Sequence, residues 1–264
     1  MICSSASLDE PLAGTAPTDT EWLFVEQPGP WAAKATAGLS VPGVRVQLIR
    51  RPGRSSPSVG VRLFAASVGS AVSVRTAVVP AVDRLDDAAW EPYDEPLLMV
   101  CTNGRRDRCC SELGRPVTAA LAARWPEATW ETTHLGGHRF AGTLLALPSG
   151  VALGRLTAAD AVPACADLLS GSLPLDVVRG RAGLSGAAQA AELAARRAHG
   201  LSGLGEVSVT GTSGDVVSLR LPAGPLEARV VTGVGEPRRQ SCGDDKLKAA
   251  PTYAVALGGS ASVL

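Results

Sequence analysis

The sequence predicts an α/β protein, and three patterns indicate this class. Short apolar runs of strand length recur along the chain and are separated by Gly and Pro. In the middle of the chain, a segment of helical composition lies between two such runs. Nearer the C terminus, an Ala-rich amphipathic segment precedes short stretches that alternate apolar and polar residues. The 264 residues have room for two domains and a small third piece.

Residues 1–95 are predicted to form a small α/β unit. Three short apolar runs in this region are predicted strands, at Trp22–Glu26, Arg45–Ile49 and Val59–Ala65. Turns rich in Pro and Gly separate them. The region contains no motif that indicates chemistry of its own.

Residues 96–182 are predicted to form the central domain. The predicted elements are, in chain order, a buried strand at Pro96–Val100, a helix at Pro116–Trp125, a strand at Thr129–Thr132, a hairpin over 142–156 and a helix at Thr157–Leu169. The order strand, helix, strand, loop, strand, strand, helix is that of a thioredoxin-type domain.

Residues 183–264 are predicted to form a C-terminal addition. Gly186–His199 is an Ala-rich amphipathic helix, and residues 205–257 contain short alternating segments separated by Gly and Pro. This region is therefore predicted to be a helix followed by an antiparallel β appendage.

The composition argues against several classes of function. Lys and Arg together number 25 and so do Asp and Glu, so there is no basic excess to hold a phosphate backbone, and no nucleic-acid partner is expected. No apolar run reaches the roughly 18 residues of a membrane span, and the first 20 residues contain no signal-peptide core. We expect a cytoplasmic protein without a membrane partner, in which clustered cysteines indicate metal or redox chemistry.

Four residues in two loops are the candidate ligands of a metal centre. Their spacing is Cys101-x8-Cys110-x23-His134-x3-His138. Each loop follows a predicted strand, and in a parallel α/β core both strand ends reach the same edge of the sheet. Gly136 and Gly137 are a poor helix interior but favour a loop that approaches a compact centre closely.

Thiolates and neutral imidazoles together suit zinc, copper or an iron–sulfur cluster. A structural zinc site usually has a tighter pair of cysteines than the gap between Cys101 and Cys110 allows. A [2Fe–2S] cluster has two irons set apart, for which widely spaced ligands are natural. Clusters with two imidazole ligands have potentials of about −150 to +300 mV, against about −400 mV for plant-type ferredoxins with four cysteines.

The chain resembles the sucrase/ferredoxin-like family over about residues 3–200. The resemblance rests on VCTNGRRDRCC at residues 100–110, on THLGGHRFAG at 133–142, on the N-terminal segment 13–31 and on RGRAGL at 179–184. It implies a thioredoxin-like ferredoxin domain at 96–182 with a non-Rieske [2Fe–2S] cluster. The implied ligands are Cys101, Cys110, His134 and His138, with the adjacent Cys109 as the alternate.

The resemblance implies an electron carrier that exchanges electrons with a redox partner protein or a small reductant. Sucrose hydrolysis is not supported, because no motif offers a pair of carboxylates. Two alternatives remain open: a structural zinc protein, and a thiol oxidoreductase that uses Cys109 and Cys110. The remaining cysteines, Cys3, Cys165 and Cys242, are expected to be unligated. The sequence predicts no oligomeric state.

Overall fold

A computed structural model describes residues 3–53, 60–69 and 72–258. Its described strands are β1 Glu21–Glu26, β2 Arg45–Arg50, β3 Val61–Val68, β4 Val72–Val79, β5 Glu91–Pro92, β6 Leu97–Cys101, β7 Thr129–Thr132, β8 Leu144–Leu147, β9 Val151–Leu153, β10 Val178–Arg181, β11 Ser208–Ser213, β12 Val216–Leu221, β13 Gly224–Val234, β14 Arg238–Ser241, β15 Asp244–Lys248 and β16 Pro251–Leu257. The described α-helices are α1 Arg108–Arg124, α2 Ala161–Leu169 and α3 Gly186–His199. The predicted α/β class is confirmed.

A single ten-stranded sheet forms the centre of the protein. Its strand order is β10-β9-β8-β6-β7-β2-β1-β3-β4-β5. β6 and β7 are parallel, as are β1 and β2, whereas the other neighbours are antiparallel. β2 pairs with β7 through Ile49 with Thr132 and Arg50 with Glu131. The sheet therefore runs across the domain boundary predicted between residues 95 and 96, and the division into domains stays a prediction.

The N-terminal region contributes strands to this sheet. The predicted strands near residues 22, 45 and 61 are present as β1, β2 and β3; Val59 lies outside the described residues. The helical turns in the described part of residues 1–95 are two short 3-10 helices, Ser5–Ser7 and Val82–Asp87. The helical share of the α/β fold therefore comes from α1, α2 and α3.

Helix α1 begins eight residues earlier than the sequence predicts. Asp107 is its N-cap, and its carboxylate accepts a hydrogen bond from the backbone N–H of Cys109. Pro116 lies inside the helix rather than at its start. Cys109 and Cys110 consequently lie in the first helical turn and not in a loop.

Strand β6 is buried on both faces, as the sequence predicts. Leu97 and Met99 pack into one core with Phe64 and Trp130. Leu98 and Val100 face the opposite side of the sheet, where they pack with residues of α1 and α2. Because side chains alternate along a strand, Cys101 at the end of β6 points to the same face as Met99.

The C-terminal region has the predicted helix and antiparallel strands. α3 has the predicted bounds, with Ser185 as its N-cap and Gly200 in the left-handed conformation at its end. It packs on a four-stranded sheet of order β11-β12-β13-β16. β14 and β15 form a separate two-stranded hairpin. Among the described helices, none combines the length and the apolar character that crossing a membrane requires.

Candidate metal centre

The two candidate cysteine ligands meet where β6 ends and α1 begins. Cys101 is the last residue of β6, Cys110 lies in the first turn of α1, and both are buried. Gly114, one turn after Cys110, allows this approach, because a Cβ atom there would collide with the carbonyl oxygen of Cys101. The close packing of α1 on β6 thus brings the two thiols together.

The loop of residues 134–138, called the histidine loop below, follows β7. Since β6 and β7 are parallel, the loop reaches the same sheet edge as Cys101. Gly136 and Gly137 have φ angles of 91° and 69°, a region that favours glycine. A side chain on Gly137 would also strike the guanidinium of Arg179. The two glycines therefore shape the turn that returns His138 towards His134.

The structure brings three of the four predicted ligands together and places the fourth beside them. The donor atoms of Cys101, Cys110 and His134 lie within 4.8 Å of one another. His134 Nδ1 is 4.0 Å from the Sγ of Cys101 and 3.9 Å from the Sγ of Cys110. His138 adjoins these three rather than lying among them, with its Nδ1 3.2 Å from His134 Nε2. We call these four residues the Cys/His group, and three of them, Cys101, Cys110 and His134, have donor atoms close enough together to hold a metal ion.

Side chains of the N-terminal strands hold the histidine loop in place. The carbonyl oxygen of His134 accepts hydrogen bonds from Arg45 Nη2 at 3.1 Å and Gln47 Nε2 at 3.3 Å. Arg179 donates to the carbonyl oxygen of Gly136 at 3.1 Å and to Thr15. Sequence reasoning assigned no role to β2, because the pairing of β2 with β7 that brings Arg45 and Gln47 to the loop leaves no local signal.

Hydrogen bonding and burial set the charge states in the Cys/His group. The pKa of Cys101 lies well below its usual range, because Cys110 and His134 donate hydrogen bonds to its sulfur and outweigh burial. The pKa of Cys110 is raised by its hydrogen bond to Cys101 and by burial. Burial, together with the charge of His134, lowers the pKa of His138. The Cys101 thiolate and the neutral His138 ring are the forms that bind metals.

A buried cation lies beside the histidine loop. Burial, followed by the charges of Arg139 and Arg45, lowers the pKa of Arg179 to about 9. The guanidinium remains protonated at neutral pH, and its attraction to Cys101 opposes the lowering. Arg179 therefore places a positive charge near any negatively charged centre in the Cys/His group.

Cys109 is separate from its neighbour Cys110. Its Sγ is 3.1 Å from the Sγ of Cys3 and donates to Asp107 Oδ1 at 2.9 Å. The donor atoms of Cys3, Asp107, Cys109 and Cys242 all lie within 4.8 Å of one another. We call these four residues the terminal cysteine group. Sequence reasoning missed it, because cysteines near the two chain ends show no spacing pattern.

Comparison with known proteins identifies the family. The model of the sucrase/ferredoxin-like family matches residues 12–180, which include the whole Cys/His group. Comparison with curated proteins and with solved structures gives no significant match. The match covers more than half of the 264 residues. The chain belongs to the sucrase/ferredoxin-like family.

Proposed function

We propose that this protein is a one-electron carrier with a [2Fe–2S] cluster held by Cys101, Cys110, His134 and His138. The observation that carries the proposal is the convergence of these residues from two loops. Two thiols and one imidazole lie within 4.8 Å of one another, and the second imidazole is 3.2 Å from the first. The cluster, when bound, supplies the one-electron redox chemistry.

The residues of the site fit such a centre in three ways. Two cysteines and two histidines form the mixed donor set that iron–sulfur clusters accept. Nδ1 of His138 faces His134 Nε2 at 3.2 Å, so this ring nitrogen is placed to bind beside the other three donors. The backbone N–H of Leu135 donates to Cys101, as expected for a sulfur that carries negative charge.

The residues around the site affect its reduction potential, and its two sides differ in exposure to solvent. Two neutral imidazoles add no negative charge, so the potential should lie above that of centres with four thiolates. Arg179 acts in the same direction, because a nearby cation stabilises the more negative, reduced state. Both thiols are buried, whereas His134 and His138 are only half-buried. We propose that electrons enter and leave through the imidazole side.

The arginines around this side suggest the kind of redox partner. Arg105 and Arg106 are exposed in the loop before α1, whereas Arg139, directly after His138, pairs with Glu10. An acidic surface on a partner protein would complement the two exposed arginines. We propose such a partner or a small reductant, and a cytoplasmic location in which the six cysteines stay reduced.

Metal and sulfide analysis of protein purified without air tests the proposal. We expect red-brown protein with about two irons and two acid-labile sulfides per chain, and an EPR signal after reduction. His134→Ala and His138→Ala should remove the iron and the colour. His199→Ala is the matched control, because His199 is the other histidine of the chain and lies exposed at the end of α3. Colourless protein with zinc in the Cys/His group and no sulfide would contradict the proposal.

The geometry gives less support to a thiol oxidoreductase that uses Cys109 and Cys110. The two thiols belong to different groups of side chains. The pKa of Cys109 is raised by its hydrogen bond with Cys3 and by burial, and the pKa of Cys110 is raised as well. A reactive thiol needs a lowered pKa and exposure. Disulfide-reductase activity that survives His134→Ala and His138→Ala would support this alternative.

A further inference from the structure

The terminal cysteine group joins three distant parts of the chain. Cys3 comes from the N terminus, Asp107 and Cys109 from the start of α1, and Cys242 from the turn of the β14–β15 hairpin. The Sγ atoms of Cys3 and Cys109 are 3.1 Å apart, and that of Cys242 is 3.5 Å from each. Cys3 and Cys242 both lie outside the residues 12–180 that match the family.

The spacing of these donors suits one small ion. Zinc–thiolate bonds of about 2.3 Å in a tetrahedral site place the sulfur atoms roughly 3.7 Å apart. The three observed separations, 3.1, 3.5 and 3.5 Å, are close to this edge length. Asp107 Oδ1 completes the set, at 2.9 Å from the Sγ of Cys109 and 3.7 Å from that of Cys3. Sulfur atoms this close leave no room for a cluster of several irons between them.

The charge balance of the group also indicates a cation. Asp107 is 3% exposed, Cys3 is 1% exposed and Cys109 is fully buried. In the described part of the chain, Asp107 forms no ion pair with lysine or arginine, and its nearest ionisable nitrogen is His138 Nε2 at 3.5 Å. A buried carboxylate is costly unless it is paired or coordinates a metal.

We propose that Cys3, Cys109, Cys242 and Asp107 form a second metal site that binds a single zinc ion. Three thiolates and one carboxylate are all donors that bind zinc, and together they supply the four ligands that a closed structural site needs. Oδ2 of Asp107 keeps its hydrogen bonds from Ser241 Oγ at 2.7 Å and from the backbone N–H of Cys242 at 3.0 Å. These bonds orient the carboxylate as an outer shell would.

The β14–β15 hairpin shows what the zinc ion would do. A two-stranded hairpin is marginally stable alone, and this one has little core, since Leu247 is 63% exposed. Arg238 pairs with Asp9, but an exposed ion pair contributes little. Zinc at Cys242 would fasten the hairpin and the segment around Cys3 to the start of α1, beside the Cys/His group.

Zinc content of the full-length protein tests the proposal. Wild-type protein dialysed against a mild chelator should keep about one zinc ion per chain. Cys242→Ser and Cys3→Ser should lose it while retaining the iron and colour of the wild type. Cys165→Ser is the matched control, because Cys165 is buried within α2 and belongs to neither group. It should keep both metals.

Three results would overturn the proposal: wild-type protein without zinc, a zinc content that is undiminished in the Cys3→Ser, Cys242→Ser double variant, or a disulfide within the group in freshly purified protein. A failure of the zinc proposal can be distinguished from a failure of the [2Fe–2S] proposal. If zinc also occupied the Cys/His group, Cys242→Ser would lower the zinc content by half rather than abolish it.

Limited proteolysis gives an independent readout. Trypsin has candidate sites in the hairpin at Arg238, Arg239, Lys246 and Lys248. Removal of zinc should release the hairpin, so that cleavage there becomes several-fold faster in Cys242→Ser than in Cys165→Ser. Equal cleavage rates in the two variants would show that no metal fastens the hairpin.

Discussion

Two groups of side chains that could hold a metal ion lie on either side of the first turn of α1, and they differ in donor atoms and in where their residues come from. Cys110 faces the Cys/His group, whereas Cys109 faces the terminal cysteine group. Neighbouring residues on a helix point about 100° apart, so one turn serves both. The first group combines sulfur with nitrogen within the family region, and the second combines sulfur with a carboxylate from residues near both chain ends.

Under the two proposals, donor type separates two chemistries at close range. Neutral imidazoles reduce the negative charge of a redox centre and so favour a higher potential. Thiolates with a carboxylate form a more negative, closed set that suits a redox-inactive ion such as zinc. Asp107 lies between the two groups, with Oδ1 2.9 Å from Cys109 Sγ and Oδ2 3.5 Å from His138 Nε2. We expect it to couple them electrostatically.

The largest expected effect is the loss of a whole metal centre when one of the two adjacent cysteines is replaced by serine. Cys110→Ser should remove the iron and the visible colour, because it deletes a ligand of the Cys/His group. Cys109→Ser should keep the iron and lose the zinc. Metal analysis and visible spectra of the two proteins, prepared in parallel, measure both effects.

Cys165→Ser serves as the control for this pair, since it removes a buried thiol from neither group. If Cys109→Ser lost its iron and Cys110→Ser kept it, the assignment of the two cysteines to the two groups would be reversed. The comparison of the two groups would then be wrong.

A smaller effect is expected when one ligand residue is replaced by another that can still bind the cluster through a different donor atom. His138→Cys replaces a neutral imidazole by a thiolate, so the reduction potential should fall on the order of a hundred millivolts or more. Redox titration followed by the visible spectrum measures the shift. His199→Cys is the control that adds a thiol elsewhere. An unchanged potential in His138→Cys would show that His138 is not a ligand.

The coupling through Asp107 should be weaker still. Asp107→Asn keeps the shape of the N-cap side chain but removes a negative charge beside His138. The loss of this charge stabilises the reduced, more negative state of the cluster. The potential should therefore rise, on the order of tens of millivolts given the screening of charges in proteins. Zinc should also be held less tightly. A fall in potential, or full retention of zinc during dialysis, would contradict the placement of Asp107 between the groups.

No effect on either metal is expected from the thiol that belongs to neither group, but the pH dependence of stability should change. Burial raises the pKa of Cys165 to about 12, above the unfolded value of about 8.5. This contribution to stability is fully present below the unfolded pKa and is lost as the pH rises from there towards 12, by up to about 1.4 kcal/mol per pH unit. Cys165→Ala should therefore show a flatter loss of the free energy of unfolding between pH 8 and 10, measured with urea. Parallel curves for the two proteins would argue against this pKa.

Much of the sheet could be predicted from local patterns. The apolar runs at β1, β2, β6 and β12 have the length and the flanking turns of strands, and α3 has a cap at each end. The start of α1 could not be found in this way, because residues 105–110 are basic and lack an apolar period. Asp107 is a favourable N-cap residue and did mark the start of α1 in the sequence. Pro116 is also a favourable first helical residue, and for this reason the helix was predicted to begin there.

The convergence of the Cys/His group could be predicted, because its residues follow two neighbouring parallel strands at recognisable spacings. The terminal cysteine group could not, because Cys3 and Cys242 are 239 residues apart and only the folded chain brings them together. The hydrogen bond that β2 gives to the histidine loop could not be predicted for the same reason, because Arg45 and His134 are 89 residues apart in the sequence.

Pulsed EPR of the chemically reduced, full-length protein tests the central claim most directly. Nitrogen bound to a paramagnetic iron gives hyperfine couplings that sulfur ligands do not give. We predict a one-electron-reduced [2Fe–2S] signal with couplings from two imidazole nitrogens, which His138→Cys reduces to one. A reduced protein without a signal, or a cluster signal without nitrogen couplings, would contradict ligation by His134 and His138.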